Sequence, residues 1–491
     1  MGIVRWICSA LLLAAAGRLQ ADAAEPANVA HRRPNVLMIC VDDLNDWVGC
    51  LGGHPDAHTP HIDALAKRGV LFTNAYCQAP LCGPSRASVM TGLLPTTTGI
   101  YGQVNDDQIQ GIVAAARPFT FLPDALEPYG YATIAVGKVF HKGDAAHVFD
   151  RYGGESGFGP KPAKRFRYDP RDFPDKIGST QTDWGAFPET DDTMPDHRAA
   201  SFAIEQLRAN HTQPFFLAVG FVRPHVPWHV PRKWFDLHPP ASLHTPPYLP
   251  TDFDDIPECA RRVNELPAMP TTEWAIAADE WRNIVQAYLA CTSFVDQEIG
   301  RVLQALAESE YAHDTIVILW SDHGYHLGEK NRFAKQALWR QACRAPLIIA
   351  TPDAQPGQCQ AAVGLIDLYP TILDLCGVPA EPGPEGISLK PWLTDPSRPS
   401  DRPIITSYGQ HNHALQIDRW RYSQYEDGSR ELYDHATDPN EWTNLAATPQ
   451  GERMFSEVEA LFPRSPRPPA AENQMPTNAY FLEQATRGNA P

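Results

Sequence analysis

The chain has 491 residues, 43% hydrophobic and 20% charged, a balance that excludes a disordered or fibrous protein and leaves room for one large core and a smaller unit. A formal net charge of −17 argues against nucleic acid or an anionic membrane as partner. The ten cysteines lack the close paired spacing of a zinc site or a knotted scaffold, which leaves one or two disulfides open and their pairing undefined.

In chain order, residues 1–23 read as a secretory signal. Arg5 supplies the positive start, 7–16 an apolar stretch too short to span a bilayer, and Ala21-Asp22-Ala23 a small-residue cleavage site. Cleavage there predicts a secreted or periplasmic protein beginning at Ala24; left uncleaved, the segment would be a short anchor. A main domain over 24–391 follows. Its first strand, 36–41, is an unbroken apolar run of the kind buried on both faces of a parallel sheet, and it ends in Asp42-Asp43. Thr59-Pro60 starts a helix that Gly69 stops. His54, His58 and His61 straddle a loop and a helix start, which favours solvated positions over a second metal site.

Pro84 suits a first helical turn, so 85–91 predicts a helix ending at Gly92 with Cys82 at its N-terminus. Free N–H groups and the helix dipole gather an anion at such a place. Further strands are predicted over 132–136, 214–220, 315–320 and 346–350, with a long helix over 276–308. The alternation implies an α/β fold, a mostly parallel central sheet sandwiched by helices. The Pro- and acid-rich stretches 147–196 and 234–272 read as loops walling a pocket. Short strand-like pieces over 403–408, 413–417, 420–425 and 430–433 predict a small antiparallel sheet within a C-terminal subdomain, 392–463, and the Pro-rich stretch 464–491 reads as an extended or disordered tail.

Ligands of such sheets bind beyond the carboxyl ends of the strands, where this chain carries its chemistry. Asp42, Asp43, Asp322 and His323 follow two buried strands and make a plausible shell for a hard divalent cation, with Ca²⁺ favoured by the oxygen donors and the exported location. Cys82 would present a further ligand atom to the same cation. Arg86 lies one turn along the helix from residue 82. Lys138 and His141 share a face at three-residue spacing if that segment turns as a helix. His225 and Lys335 are candidates for the leaving-group side of a reaction.

With these residues in place, the chain resembles the sulfatase family of the alkaline-phosphatase superfamily. The likeness rests on Cys82-Gly83-Pro84-Ser85-Arg86, Thr91-Gly92, Asn35 to Asp43, Thr59 to Ala66, Gly137-Lys138, Ser321-Asp322-His323-Gly324, and the pair Glu431-Leu432-Tyr433-Asp434 and Asp438-Pro439-Asn440-Glu441. Gly137 to His141, Asp322-His323 and Phe221 to His225 look most like iduronate-2-sulfatases, although Arg223 stands where those enzymes tend to carry Lys and Val222 replaces a His.

The resemblance implies that a formylglycine-generating enzyme converts Cys82 to formylglycine during maturation. The hydrate of that aldehyde, with Asp42, Asp43, Asp322 and His323, would hold the metal. Arg86 and Lys138 would steady the hydrate and the sulfate, His141 would act as base, and His225 with Lys335 would assist the departing oxygen of a sulfated saccharide. Choline-type sulfatases look similar around 321–324, and the same nucleophile can attack phosphorus in phosphonate or phosphate esters. A protein that binds sulfated glycans without turning them over is the alternative of a different class.

Overall fold

A computed structural model describes residues 33–488 apart from 142–146, 155–156, 174–177, 354 and 380–382, so the predicted signal lies outside the described residues. The strand Asn35–Val41 is buried along its whole length because it sits near the centre of an eight-stranded sheet. From one edge to the other the order is Gly357–Cys359, Val70–Phe72, Leu347–Ala350, Thr315–Ser321, Asn35–Val41, Phe215–Phe221, Ala132–Gly137 and Arg151–Tyr152. Leu347–Ala350 runs antiparallel to both neighbours, and the other pairs are parallel.

Alternation along the central strand divides the core. Val36, Met38 and Cys40 face the layer that contains Val89 and Met90 of the helix Cys82–Thr91 and Ile372 of Leu368–Leu375. Leu37, Ile39 and Val41 face Ala203 of Pro195–Arg208 and Ile299 of Trp281–Ala307. Helices on both faces thus cover the sheet, as its apolar strands require. The helix expected over 276–308 is two helices, Thr272–Ala277 and Trp281–Ala307, parted at Asp279, whose φ of 55° no helix accommodates.

The strands Ile404–Ser407, His413–Ile417, Trp420–Gln424 and Arg430–Asp434 pair in sequential antiparallel order. Phe455 and Val458 of the helix Pro449–Val458 pack on Leu415, Tyr422 and Leu432 of this sheet. The sheet is pinned to the main body by Trp339, whose Nε1 donates to Glu431 at 2.8 Å, and by Arg421, whose Nε donates to the Leu338 carbonyl at 2.6 Å.

Two expectations are corrected. The stretch predicted as an extended or disordered tail makes a β-bridge between Gln474 and Gln103 and ends in the helix Ala479–Gly488, with Tyr480 and Phe481 buried. A Pro-rich composition hid these anchors, because the apolar pair follows the Pro-rich run. His54 is buried rather than solvated, its ring 4.1 Å from that of Trp47, which satisfies a short aromatic contact no spacing rule would reveal. Among the described residues no helix is long and apolar enough to cross a membrane.

Candidate active site

Parallel register builds the site. Val41 lies opposite both Phe221 and Ser321, so the residues that follow three strands emerge at one edge: Asp42-Asp43, Asp322-His323 and Arg223 to His225. Gly137 pairs with Gly220 on the fourth. Gly137 has φ 75°, and a Cβ there would stand 2.1 Å from the Gly220 carbonyl oxygen. Only glycine allows that turn, which delivers Lys138 to Asp42.

The nucleophile candidate arrives from the other direction. Cys82–Thr91 is a helix whose ten residues are all buried, closed by Gly92 at φ 69°. It begins at Cys82 itself, three residues before the predicted start, and Ser85 donates its hydroxyl hydrogen to the Asp322 carbonyl at 2.5 Å. Cys82 Sγ lies 3.3 Å from His323 Nε2 and 3.9 Å from Asp43 Oδ1.

Asp42, Asp43, Cys82 and His323 each offer a ligand atom within 4.8 Å of one another. Asp322 sits beside this group, but its carboxylate is engaged: Oδ2 accepts from Arg86 Nε at 2.9 Å and Oδ1 from the Asp43 amide at 3.2 Å. The donor set fits a divalent cation. Asp43 Oδ2 is buried with no hydrogen-bond partner, and His323 Nδ1 lies 2.9 Å from the Gly324 carbonyl. Without a cation, burial disfavours the charged ring, but Asp322 and Cys82 outweigh it and raise the ring to about 9. With one bound, a proton on Nδ1 donated to that carbonyl would leave the Nε2 lone pair directed at Cys82 and Asp43.

The charges around these ligands are arranged in pairs. Arg86, with no exposure, binds Asp322, reaches Asp42 Oδ1 through Nη2 at 3.2 Å, and donates Nη1 to the Lys138 and Val139 carbonyls. The resemblance implies that it steadies the hydrate and sulfate; in the structure its guanidinium holds the carboxylates and the backbone of the next loop. Lys138 Nζ binds Asp42 Oδ2, and Lys335 Nζ binds Asp43 Oδ1 at 2.5 Å. Burial alone would raise the Asp42 carboxyl, but Lys138, His225 and Arg86 outweigh it and hold the group well below the usual carboxylate range. Burial raises Asp43 to about 7, with Asp42 and Cys82 adding to it against the pull of Lys335.

The histidines divide by environment. Burial and then Lys138 push His141 down to about 3, and its Nδ1 is buried without a hydrogen-bond partner among the described residues. Its backbone amide is held by Asp106 at 3.1 Å. His225 Nε2 points between the two aspartates, 4.0 Å from Asp42 and 3.9 Å from Asp43, while Nδ1 lies 2.6 Å from the Val226 carbonyl. Burial and Lys335 hold that ring well below its ordinary value. Arg223 turns away from the reacting groups and donates to the carbonyls of His225, His229 and Phe158, which fixes the loop carrying His225.

Lys138, His141, His225 and Lys335 line a cavity of about 800 Å³. Its walls come from both predicted loop regions, through Phe158 and Gln181 of the first and Leu266 and Met269 of the second. Sequence reasoning missed three contributors. Tyr288 donates to the Asp43 carbonyl at 2.9 Å, Gln103 accepts the Gly83 amide at 2.9 Å, and the segment 474–477 lines the cavity. None sits in a motif or at a strand end, so no local signal marks them.

The family model "Sulfatase" matches residues 34–378, and "N-sulphoglucosamine sulphohydrolase, C-terminal" matches 328–464. A "Sulfatase" of Formosa agariphila is 48% identical over 93% of this chain and 92% of its own length. The iduronate 2-sulfatase of Mus musculus is 31% identical over 74% of this chain and 72% of its own. A solved structure in complex with its substrate D-glucosamine-2-N,6-O-disulfate superposes with a TM-score of 0.69 at 20% identity, covering 94% of this chain and 99% of the other. The matched span reaches from the strand bearing Asp42 past the helix of Cys82 to the strand bearing Asp322, and with it the chain belongs to the sulfatase family and is a sulfuric ester hydrolase.

Proposed function

We propose that the chain removes sulfate from sulfated sugars, using formylglycine made from Cys82 beside a Ca²⁺ ion held by Asp42, Asp43, His323 and residue 82, with Asp322 bracing the group. The observation that carries this reading is the convergence of Cys82 with two aspartates and His323, where Asp43 Oδ2 has no hydrogen-bond partner among the described residues. When bound, such a cation would draw electron density from the ester and favour ionisation of the hydrate.

The chain's own residues perform the proton transfers. His141, neutral through the working range, accepts a proton from the aldehyde hydrate. The freed oxygen attacks sulfur, and the bond from sulfur to the sugar oxygen breaks. Lys138 and Lys335 stay protonated, because Asp42 beside the first and Asp43 beside the second offset the cost of their burial, and they hold charge building on the sulfate. An anionic ester beside His225 raises the proton affinity of its ring, so it can hand a proton to the departing alkoxide. Once His141 has passed its proton to water it accepts that of the second hydroxyl, the bond from carbon to the sulfated oxygen breaks, and aldehyde and sulfate separate.

The reacting centre is of the iduronate-2-sulfatase kind: Lys138, His141, His225 and His323 match that subgroup's pattern, and a relative of that name is 31% identical. The same reading has the protein exported and matured by a formylglycine-generating enzyme. The test is the mass of the tryptic peptide bearing residue 82, from a host able to make the conversion, with sulfate release measured on a sulfated saccharide, an aryl sulfate and a phosphate diester. An aldehyde with preferred saccharide turnover is the expected result. A retained thiol in fully active protein overturns the nucleophile, and preference for the diester overturns the substrate.

A further inference from the structure

We propose that residues 474–477 form a strap that walls the active-site cavity and sets which sulfated saccharide it accepts. The proposal rests on the function proposed above and adds the part of the chain that reads the sugar. Both family models end by residue 464, so this wall lies outside the spans they match.

The strap is anchored at each end by an asparagine. Asn473 Oδ1 accepts the amides of Tyr101 and Gly102 at 2.8 and 2.7 Å, and its Nδ2 donates to the carbonyls of Gly99 and Ala470, both at 2.8 Å. Asn478, buried, donates to the carbonyls of Val263 and Glu265 at 3.2 and 3.0 Å and accepts the Phe481 amide at 2.9 Å. Every polar atom of Asn473 is therefore used to hold backbone, which is how a short irregular segment is fixed in place.

Between the anchors, Gln474 exchanges two backbone hydrogen bonds with Gln103, at 2.8 and 3.0 Å. Gln103 in turn accepts the Gly83 amide with its side-chain oxygen. One residue thus joins the strap to the first turn of the helix that carries Cys82. The chain opposite has given way to this contact: a Cβ on Gly102 would meet the Gln474 carbonyl oxygen at 2.7 Å and the Met475 sulfur at 2.8 Å. Gln474, Met475 and Thr477 face the same cavity as Lys138, His141 and Lys335. An amide, a thioether and a hydroxyl beside Gln103 and Gln181 suit a ring that carries hydroxyl groups on one side and apolar C–H on the other.

The test uses the full chain with the pair Met475→Ala and Thr477→Ala, which removes the wall and leaves both anchors. KM for a sulfated monosaccharide should rise by about tenfold or more with kcat held, and preference should shift toward a sulfated tetrasaccharide. Asn473→Ala, which frees one end of the strap, should give the same signature. Unchanged KM and unchanged preference in the paired variant overturn the proposal, as does a kcat that falls in step with the rise in KM. A parent chain that releases sulfate from no ester, aryl sulfate included, counts against the proposed function instead.

Discussion

Arg86→Lys isolates what a buried fork contributes to this site. The guanidinium has no exposure and divides its N–H groups between Asp322 Oδ2 at 2.9 Å, Asp42 Oδ1 at 3.2 Å and the carbonyls of Lys138 and Val139. A lysine keeps the charge but presents one nitrogen, which can reach one carboxylate and not the four acceptors together. At least one charge-assisted bond is lost, each worth about 1.5–3 kcal/mol, and one or two backbone carbonyls are left dry at about 1–3 kcal/mol each. Allowing for relaxation, the variant should lose about 3–5 kcal/mol, the range found for breaking a buried ion pair. The assay is urea unfolding followed by far-UV circular dichroism, with the comparison restricted to transitions of equal slope. A loss under about 1 kcal/mol at equal slope would show that the two carboxylates do not depend on the fork, and the account of the site's electrostatics would fall with it.

Three further outcomes are expected. Ca²⁺ added at about 100 times its Kd should stabilise the parent by about 2.7 kcal/mol, read as a rise in Tm, and Asp43→Asn should abolish the effect; equal stabilisation of both would remove Asp43 from the ligand set. His141→Asn should lower kcat by about 10²- to 10⁴-fold in steady-state assays with converted protein, and a loss below about threefold would exclude it as the base. His238, buried with Nε2 2.9 Å from Ser293 Oγ, is pushed by burial from 6.5 to about 4. As pH falls between those values the unfolded chain takes a proton that the folded chain refuses, so stability is lost. His238→Gln should gain on the parent by about 3 kcal/mol from pH 7 to pH 4, and parallel pH curves in denaturant titrations would refute the assignment.

Much of the fold was legible because the central strands are unbroken apolar runs. The predicted 36–41, 132–136, 214–220 and 315–320 differ by a residue or so from the observed strands, and the residues just past their ends are the ones that converge. Asp42, Asp43, His323, Lys138, His141 and His225 follow such strands, whereas Cys82 was named from a helix start and its motif and Lys335 from the stretch beyond Asp322; all lie in or against one cavity. The duty of Arg86 was not legible, since a helical position shows which face a side chain occupies but not that two strand-end carboxylates claim it first. The break at Asp279 was hidden for a similar reason: the apolar period continues across it. The strap escaped because its distant contacts span 213 to 374 residues of sequence and its own composition suggests solvent.

The complete enclosure of the helix Cys82–Thr91 also sets a deadline. Another protein that must grip Cys82, Pro84 and Arg86 to alter the cysteine finds all three sealed under the sheet once the domain has closed. If Cys82 is converted as proposed, the conversion has to precede closure of the domain, and a copy that closed untreated would stay untreated until it unfolded. On that reading the fraction of competent molecules would be decided before the domain closes, and supplying more of the converting protein afterwards would not improve it.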